Sequence, residues 1–248
     1  MPKMIHVNLG AESTPFGHEV TLAATHGDAL EAKRLQHQIF ATLAEQPRWL
    51  LCDLTAIPTV STEVLDVLRA VVRQQADWPG TPVGIACPDR RLPGRLRGAA
   101  GHRVEIGTSV DTVAETLAGT PGADHATLML APGLTSPRSA RAFVARACLR
   151  WDARAITGHA VLVASELVTD AVLHSDTKVQ LVVSRHPGRL RIAVRDETPN
   201  GGARWGSAGV SGSGRGLLLV SSVCRAWAVQ PTLDNAKVVW AVLDDAGS

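Results

Sequence analysis

Two kinds of apolar pattern alternate along the chain. Segments that read as strands fall at 18–24 (HEVTLAA), 49–54 (WLLCDL, a short apolar run) and 82–87 (PVGIAC), with a shorter one at 103–106. Between them, apolar residues recur every three or four positions. Leu30, Leu35, Ile39 and Leu43 do so within 28–46. Val64, Leu65, Leu68, Val71 and Val72 line one side of 61–76, which opens on Ser and Thr. Val110, Val113 and Leu117 turn inward over 109–117. Strands alternating with helices predict a mixed sheet containing parallel pairs, with helices packed on it.

The pattern changes after residue 118. AGTPGADH, at 118–125, is rich in Gly, Pro and small residues and has no periodicity, as a linker would. Beyond it a short strand is expected at 126–131. A helix then runs from Ser136 to about 151, with Ser136 as N-cap and Pro137 at the first helical position. A second helix covers 156–174. Two alternating runs, Val179-Leu181-Val183 and Leu190-Ile192-Val194, flank His186-Pro187-Gly188 and read as a hairpin. A Gly/Ser-rich stretch occupies 200–216, a helix follows from 216 to about 225, and strands close the chain at 226–229 and 237–243. This order predicts helices layered on one face of a mainly antiparallel sheet. The fold class is therefore α+β or α/β in two domains, 1–120 and 126–248, joined by 121–125. Seven or eight linker residues reach at most ~25 Å, so a contact between the halves is expected.

Length and composition fit this division. At roughly 100–200 residues per domain, 248 residues accommodate two. Hydrophobic residues at 45% and charged residues at 19% are globular values, and exclude a disordered chain. The 25 basic and 23 acidic residues nearly balance, which gives no reason to expect nucleic-acid binding. No run approaches 18 consecutive apolar residues, and the N-terminus, MPKMIHVNLG, has no signal-peptide core; no membrane span and a cytoplasmic location are expected. Cys52, Cys87, Cys148 and Cys224 lie far apart in apolar-rich segments, which points to four reduced, buried thiols.

Three segments could carry chemistry. In the helix SELVTDAVLHS, Glu166, Asp170 and His174 recur at i, i+4 and i+8 and share a face. Two like charges at that spacing repel by ~0.2–0.5 kcal/mol. A divalent cation would offset this, and Mg²⁺ takes one or two carboxylates beside phosphate oxygens; a solvated polar face is the plainer reading. In VRDETPN, Asp196 ends a strand, where a carboxylate can accept from a ligand amino group or can close an Asx turn. GSAGVSGSGRGLLLV, at 206–220, places five glycines and three serines before an apolar helix. Backbone N–H groups in such a segment can converge on phosphate. It has no GK[ST] element and so is not a Walker loop. A surface loop would look the same.

In this order and at these separations the segments resemble the Bergerat-type (GHKL, histidine-kinase-like) ATPase fold. The closest likeness is to actinobacterial anti-sigma-factor serine/threonine kinases. Where those read SELVTNAVRHA, VRDxSP, GRGLxLV and GKTVW, this chain has Ser165 to Ser175, Val194 to Pro199, Gly214-Arg215-Gly216-Leu217 onward, and Ala236-Lys237-Val238-Val239-Trp240. The likeness covers about 126–248. It implies ATP and Mg²⁺ as ligands, Glu166 as catalytic base, and Asp170 as magnesium ligand. Asp196 would read the adenine amino group. Gly214, Arg215, Gly216, Leu217 and His174 would border the nucleotide. The chain departs from the family pattern at Asp170 (Asn in the family), Leu173 (Arg) and Val238 (the Thr that supports the adenine pocket).

The first half resembles STAS domains, the fold of anti-sigma-factor antagonists. The segment from Leu51 to Leu65 matches VDLSGVxFLDSSGL in outline. Ser61, Thr62, Glu63 and Val64 stand where DSSG would be, and Thr62 falls at the phosphoacceptor position. Ser61 also reads as an ordinary helix N-cap. Together the resemblances imply an ATP-binding, anti-sigma-factor-like regulator of a partner-switching system, with a sigma factor or an antagonist as partner. A homodimer stays open. The two function classes are a protein serine/threonine kinase and a catalytically silent interaction module.

Overall fold

The structure is a computed structural model that describes residues 18–96, 104–197 and 214–245. The chain divides into two compact units, Met1–Gly122 and Ala123–Ser248.

In the first unit β1 (Glu19–Ala23), β2 (Trp49–Asp53), β3 (Val83–Ala86) and β4 (Val104–Gly107) pair in chain order. All three described pairings are parallel. The mixed sheet expected here is thus a parallel one among the described residues. The cause is that each connection is a helical crossover, which returns the chain to the same end of the sheet. Helices α1 (Ala29–Ala44), α2 (Thr62–Asp77) and α3 (Leu92–Leu96) supply one face, where Leu35, Ile39, Leu68 and Leu92 pack on Leu50, Cys52 and Ile85. Helix α4 (Val110–Gly119) covers the other, with Val113 and Leu117 against Trp49, Leu51 and Ala86. Sheets covered on both faces need strands apolar throughout; β3 is, and β2 is up to its last residue, Asp53. Gly84 explains how close α4 can lie: a Cβ there would overlap Val113 Cγ1 and meet Leu117 Cδ1 at 2.9 Å.

Local chemistry sets the helix starts. Asp28 Oδ1 accepts from the Glu31 N–H at 2.8 Å, and Ser61 Oγ from the Val64 N–H at 3.3 Å. Helix α3 went unread in the sequence because its five residues, LPGRL, include a Pro and a Gly.

In the second unit β5 (Asp124–Leu130), β6 (Val179–His186), β7 (Arg189–Asp196), β9 (Lys237–Asp244) and β8 (Ala226–Pro231) lie side by side in that order. Every pairing is antiparallel. Helices α5 (Ser136–Arg150), α6 (Thr157–His174) and α7 (Gly214–Val223) share one core with the sheet. Val163, Leu167, Val168 and Val220 pack there with Leu181, Ile192, Val194, Val239 and Ala241. The β6–β7 turn uses Gly188 at φ 75, a left-handed conformation that glycine adopts without steric cost. Ser136 does not cap α5. It is the helix's first residue, after Thr135, and its hydroxyl donates to the Ala131 carbonyl at 2.6 Å. On the opposite face of the sheet Val182, Ser184, Arg191, Ala193, Val238 and Trp240 are buried, whereas Met129 on β5 is exposed. Arg191 lies 5.4 Å from the Trp240 ring centroid, and burial pushes its guanidinium down to about 9.

Among the described residues one segment, Arg154–Leu173, is long and apolar enough by composition to cross a membrane. In this fold it is the central core helix, with Val163, Ala164 and Val168 fully buried. Cys52, Cys87 and Cys148 are buried, Cys224 is half-buried, and all four are free thiols. Burial pushes Cys52 up to about 12 and Cys224 to about 11.

Candidate functional site

Helix α6 has two characters around its circumference. Val163, Ala164, Leu167, Val168 and Ala171 are buried in the core. Glu166 and Asp170, one turn apart, are half-buried. This rules out a fully solvated face for the two carboxylates. Arg141 on α5 donates to the Ser165 hydroxyl at 3.0 Å, which pins the helix beside Glu166.

Helix α7 meets this face at Gly216. A Cβ built on Gly216 would stand 2.6 Å from Glu166 Oε2 and 3.6 Å from its Cδ. The carboxylate therefore lies against bare backbone in the first turn of α7, in space that any side chain would occupy. Two segments singled out in the sequence 50 positions apart are in contact through the absence of one side chain. The N-terminal turn of a helix exposes N–H groups and a partial positive charge, so the acid and the helix start are mutually compatible.

Asp196 is the last residue of β7, within the strand rather than in a turn. Its cross-strand partner is Lys237, the first residue of β9. The Lys237 ammonium is 3.4 Å from Asp196 Oδ2, and the two side chains are 6% and 2% exposed. Such a pair is buried on the helix-facing side of the sheet, in line with Val194 and Val239.

This register corrects one sequence reading. Val238 was matched to the Thr that supports an adenine pocket beside Asp196. It pairs instead with Arg195, one position along, and so points to the opposite sheet face. The side chain that stands beside Asp196 is Lys237. The sequence reading missed it as a site residue because pairing across strands cannot be read from one strand alone.

The remaining expectations divide as follows. Gly214, Gly216 and Leu217 lie in the first turn of α7, which begins two residues earlier than expected. The side chains of His174 and Arg215, and the Gly/Ser-rich segment 198–213, lie outside the described residues. In the first unit Ser61 caps α2 and Thr62, its first residue, is exposed.

Among the described residues no three His, Cys, Asp or Glu side chains gather as a metal-ligand cluster. Mg²⁺ does not require one, since it completes its shell with phosphate oxygens and water. The half-buried Asp170 carboxylate, one turn from an acid lodged against a helix start, fits that mode. The space over Gly216 fits a ligand that approaches backbone closely. The chain matches no protein-family model, and no curated protein matches it.

Proposed function

We propose that the second unit binds Mg-ATP and that the chain is an anti-sigma-factor-like regulator of a partner-switching system, acting as a protein serine/threonine kinase on an antagonist protein. The observation that carries this reading is the contact between Glu166 and Gly216. It joins a carboxylate able to accept a proton to the helix start at which the glycine-rich segment ends.

Bound Mg-ATP would supply the phosphoryl group. Glu166 would accept the proton of the acceptor hydroxyl as a general base. Asp170, on the same helix face, would hold Mg²⁺. Asp196 would accept from the base's amino group. The departure at Val238 no longer weighs against nucleotide binding, because that side chain faces away from Asp196.

Two measurements test this. Mg-ATP is expected to raise the melting temperature, because a ligand that binds the native state stabilises it by mass action. Labelled phosphate is expected to reach a Ser or Thr of an antagonist captured from the host, and Glu166→Ala is expected to cut that transfer by ~10²–10⁴-fold with its melting curve intact. A melting shift without transfer would leave a nucleotide-binding regulator. Neither a shift nor transfer would favour the interaction module.

A further inference from the structure

We infer that Lys237 is a specificity-determining residue of the proposed nucleotide site: it donates to the ring nitrogen of the base adjacent to the amino group that Asp196 accepts from. The inference rests on the nucleotide reading and adds to it a residue and a rule of base choice.

Asp196 and Lys237 occupy directly opposed positions on neighbouring strands, so their side chains leave the sheet together on the face that packs under α6. The ammonium and carboxylate are 3.4 Å apart, and both side chains are almost wholly buried. Desolvating two charges is costly, and an apolar pair of similar volume is often at least as stable. An ammonium carries three N–H donors, and a carboxylate two acceptor oxygens. The pair can therefore hold together and still present an acceptor beside a donor.

Adenine's pairing edge is the complement of that arrangement, with an amino donor next to an acceptor ring nitrogen. Guanine offers a carbonyl oxygen where adenine has its amino group. That oxygen would face the Asp196 carboxylate, and the adjacent ring N–H would face the ammonium. Asp196 alone would select for an amino group. With Lys237 beside it, the site reads two adjacent atoms and rejects the reversed pattern, because mismatched buried polar groups are left unsatisfied.

Calorimetric titration of the full chain with three Mg²⁺ complexes tests this. They are ATP, 1-deaza-ATP (ring nitrogen replaced by C–H, amino group kept) and purine riboside triphosphate (amino group removed, ring nitrogen kept). Hydrogen bonds to charged groups predict that each analogue binds the wild type about tenfold or more weaker than ATP. In Lys237→Met the 1-deaza penalty should vanish while the penalty for losing the amino group remains. Equal wild-type affinity for ATP and 1-deaza-ATP would overturn the role of Lys237 and leave the nucleotide reading standing. No binding of any of the three would overturn both. The wild-type comparison can still overturn the role of Lys237 if Lys237→Met fails to fold.

Discussion

At the residue scale, two aspartates show how position decides what a carboxylate does. Asp89 ties together a loop outside any element. Its Oδ1 accepts from the Arg91 N–H at 3.0 Å and its Oδ2 from the Val60 N–H at 3.3 Å, with the Arg95 guanidinium 3.6 Å away. Arg95 in turn donates to the Val60 carbonyl at 2.7 Å. Val60 directly precedes the cap of α2, so this cluster sets where that helix starts. The Arg91 main-chain N–H is the largest of the influences that hold the Asp89 carboxyl below the usual carboxylate range. Its folded value is below its unfolded one, so its stabilisation is present above the unfolded value of about 3.9 and is lost as pH falls through the folded value. Asp89→Asn keeps the shape and removes the charge. Thermal melts should show wild type above the variant near neutrality, with the gap closing below about pH 4. A gap independent of pH would show that the ionisation of Asp89 is not what the variant loses. Asp170 is the opposite case, a half-buried carboxylate that the proposed function would set beside phosphate. Unscreened by metal, one charge pair at 4 Å amounts to ~4 kcal/mol at an effective dielectric near 20. Asp170→Asn should therefore tighten metal-free ATP or ADP, and should reduce the Mg²⁺ dependence of binding measured in Mg²⁺ and in EDTA. Equal dependence in the two proteins would separate Asp170 from the phosphates.

At the scale of elements, the end of α5 supplies a stability test. Asp152, just past the C-cap Trp151, has φ 55. Around it the Ala153 N–H donates to the Cys148 carbonyl at 2.8 Å and the Asp152 N–H to Leu149 at 3.4 Å, the bonding of a Schellman end. Glycine is the residue that this position favours. The ion pair of Asp152 with Arg154 is exposed and contributes little. Asp152→Gly is expected to stabilise the protein by up to ~1 kcal/mol, less whatever entropy the glycine adds to the unfolded chain. Chemical denaturation would show an unchanged or lower midpoint if the left-handed conformation were unstrained.

The same scale shows what a sequence can and cannot reveal. Strands β2 and β3 were legible because a doubly covered strand must be apolar throughout, and α2 because its apolar side repeats at helical spacing. Glu166 and Asp170 were legible because i, i+4 spacing is a property of one helix. Lys237 was not, because its meaning comes from a partner on β7. Val238 was misplaced for the same reason: the faces of a strand alternate, so an offset of one residue moves a side chain across the sheet. Asp89 escaped notice because Val60 is 29 positions away. The parallel pairing of all four described first-unit strands was only partly legible, since α3, the helix between β3 and β4, went unread.

At the scale of the molecule, the two units have separate interiors built by different rules. The first encloses a parallel sheet between α1–α3 on one side and α4 on the other, and the second stacks three helices on one face of an antiparallel sheet. Each holds more than 120 residues, a size at which single domains ordinarily fold alone. Chains ending at Gly122 and starting at Ala123 are therefore expected to unfold cooperatively when expressed apart. Leu167 lies at the centre of the second core and is 1% exposed. In the second fragment Leu167→Ala should cost ~2–5 kcal/mol, the range for truncating a buried leucine. The corresponding test in the first fragment is Leu68→Ala, at a side chain with no exposed surface, and the same range applies. Urea titration followed by circular dichroism gives both values. A fragment that melts without a cooperative transition would show that its core depends on the rest of the chain. If both fragments fold, the Mg-ATP stabilisation expected of the intact protein should persist in the second fragment and be absent from the first, because Glu166, Asp170, Gly216, Asp196 and Lys237 all belong to the second unit.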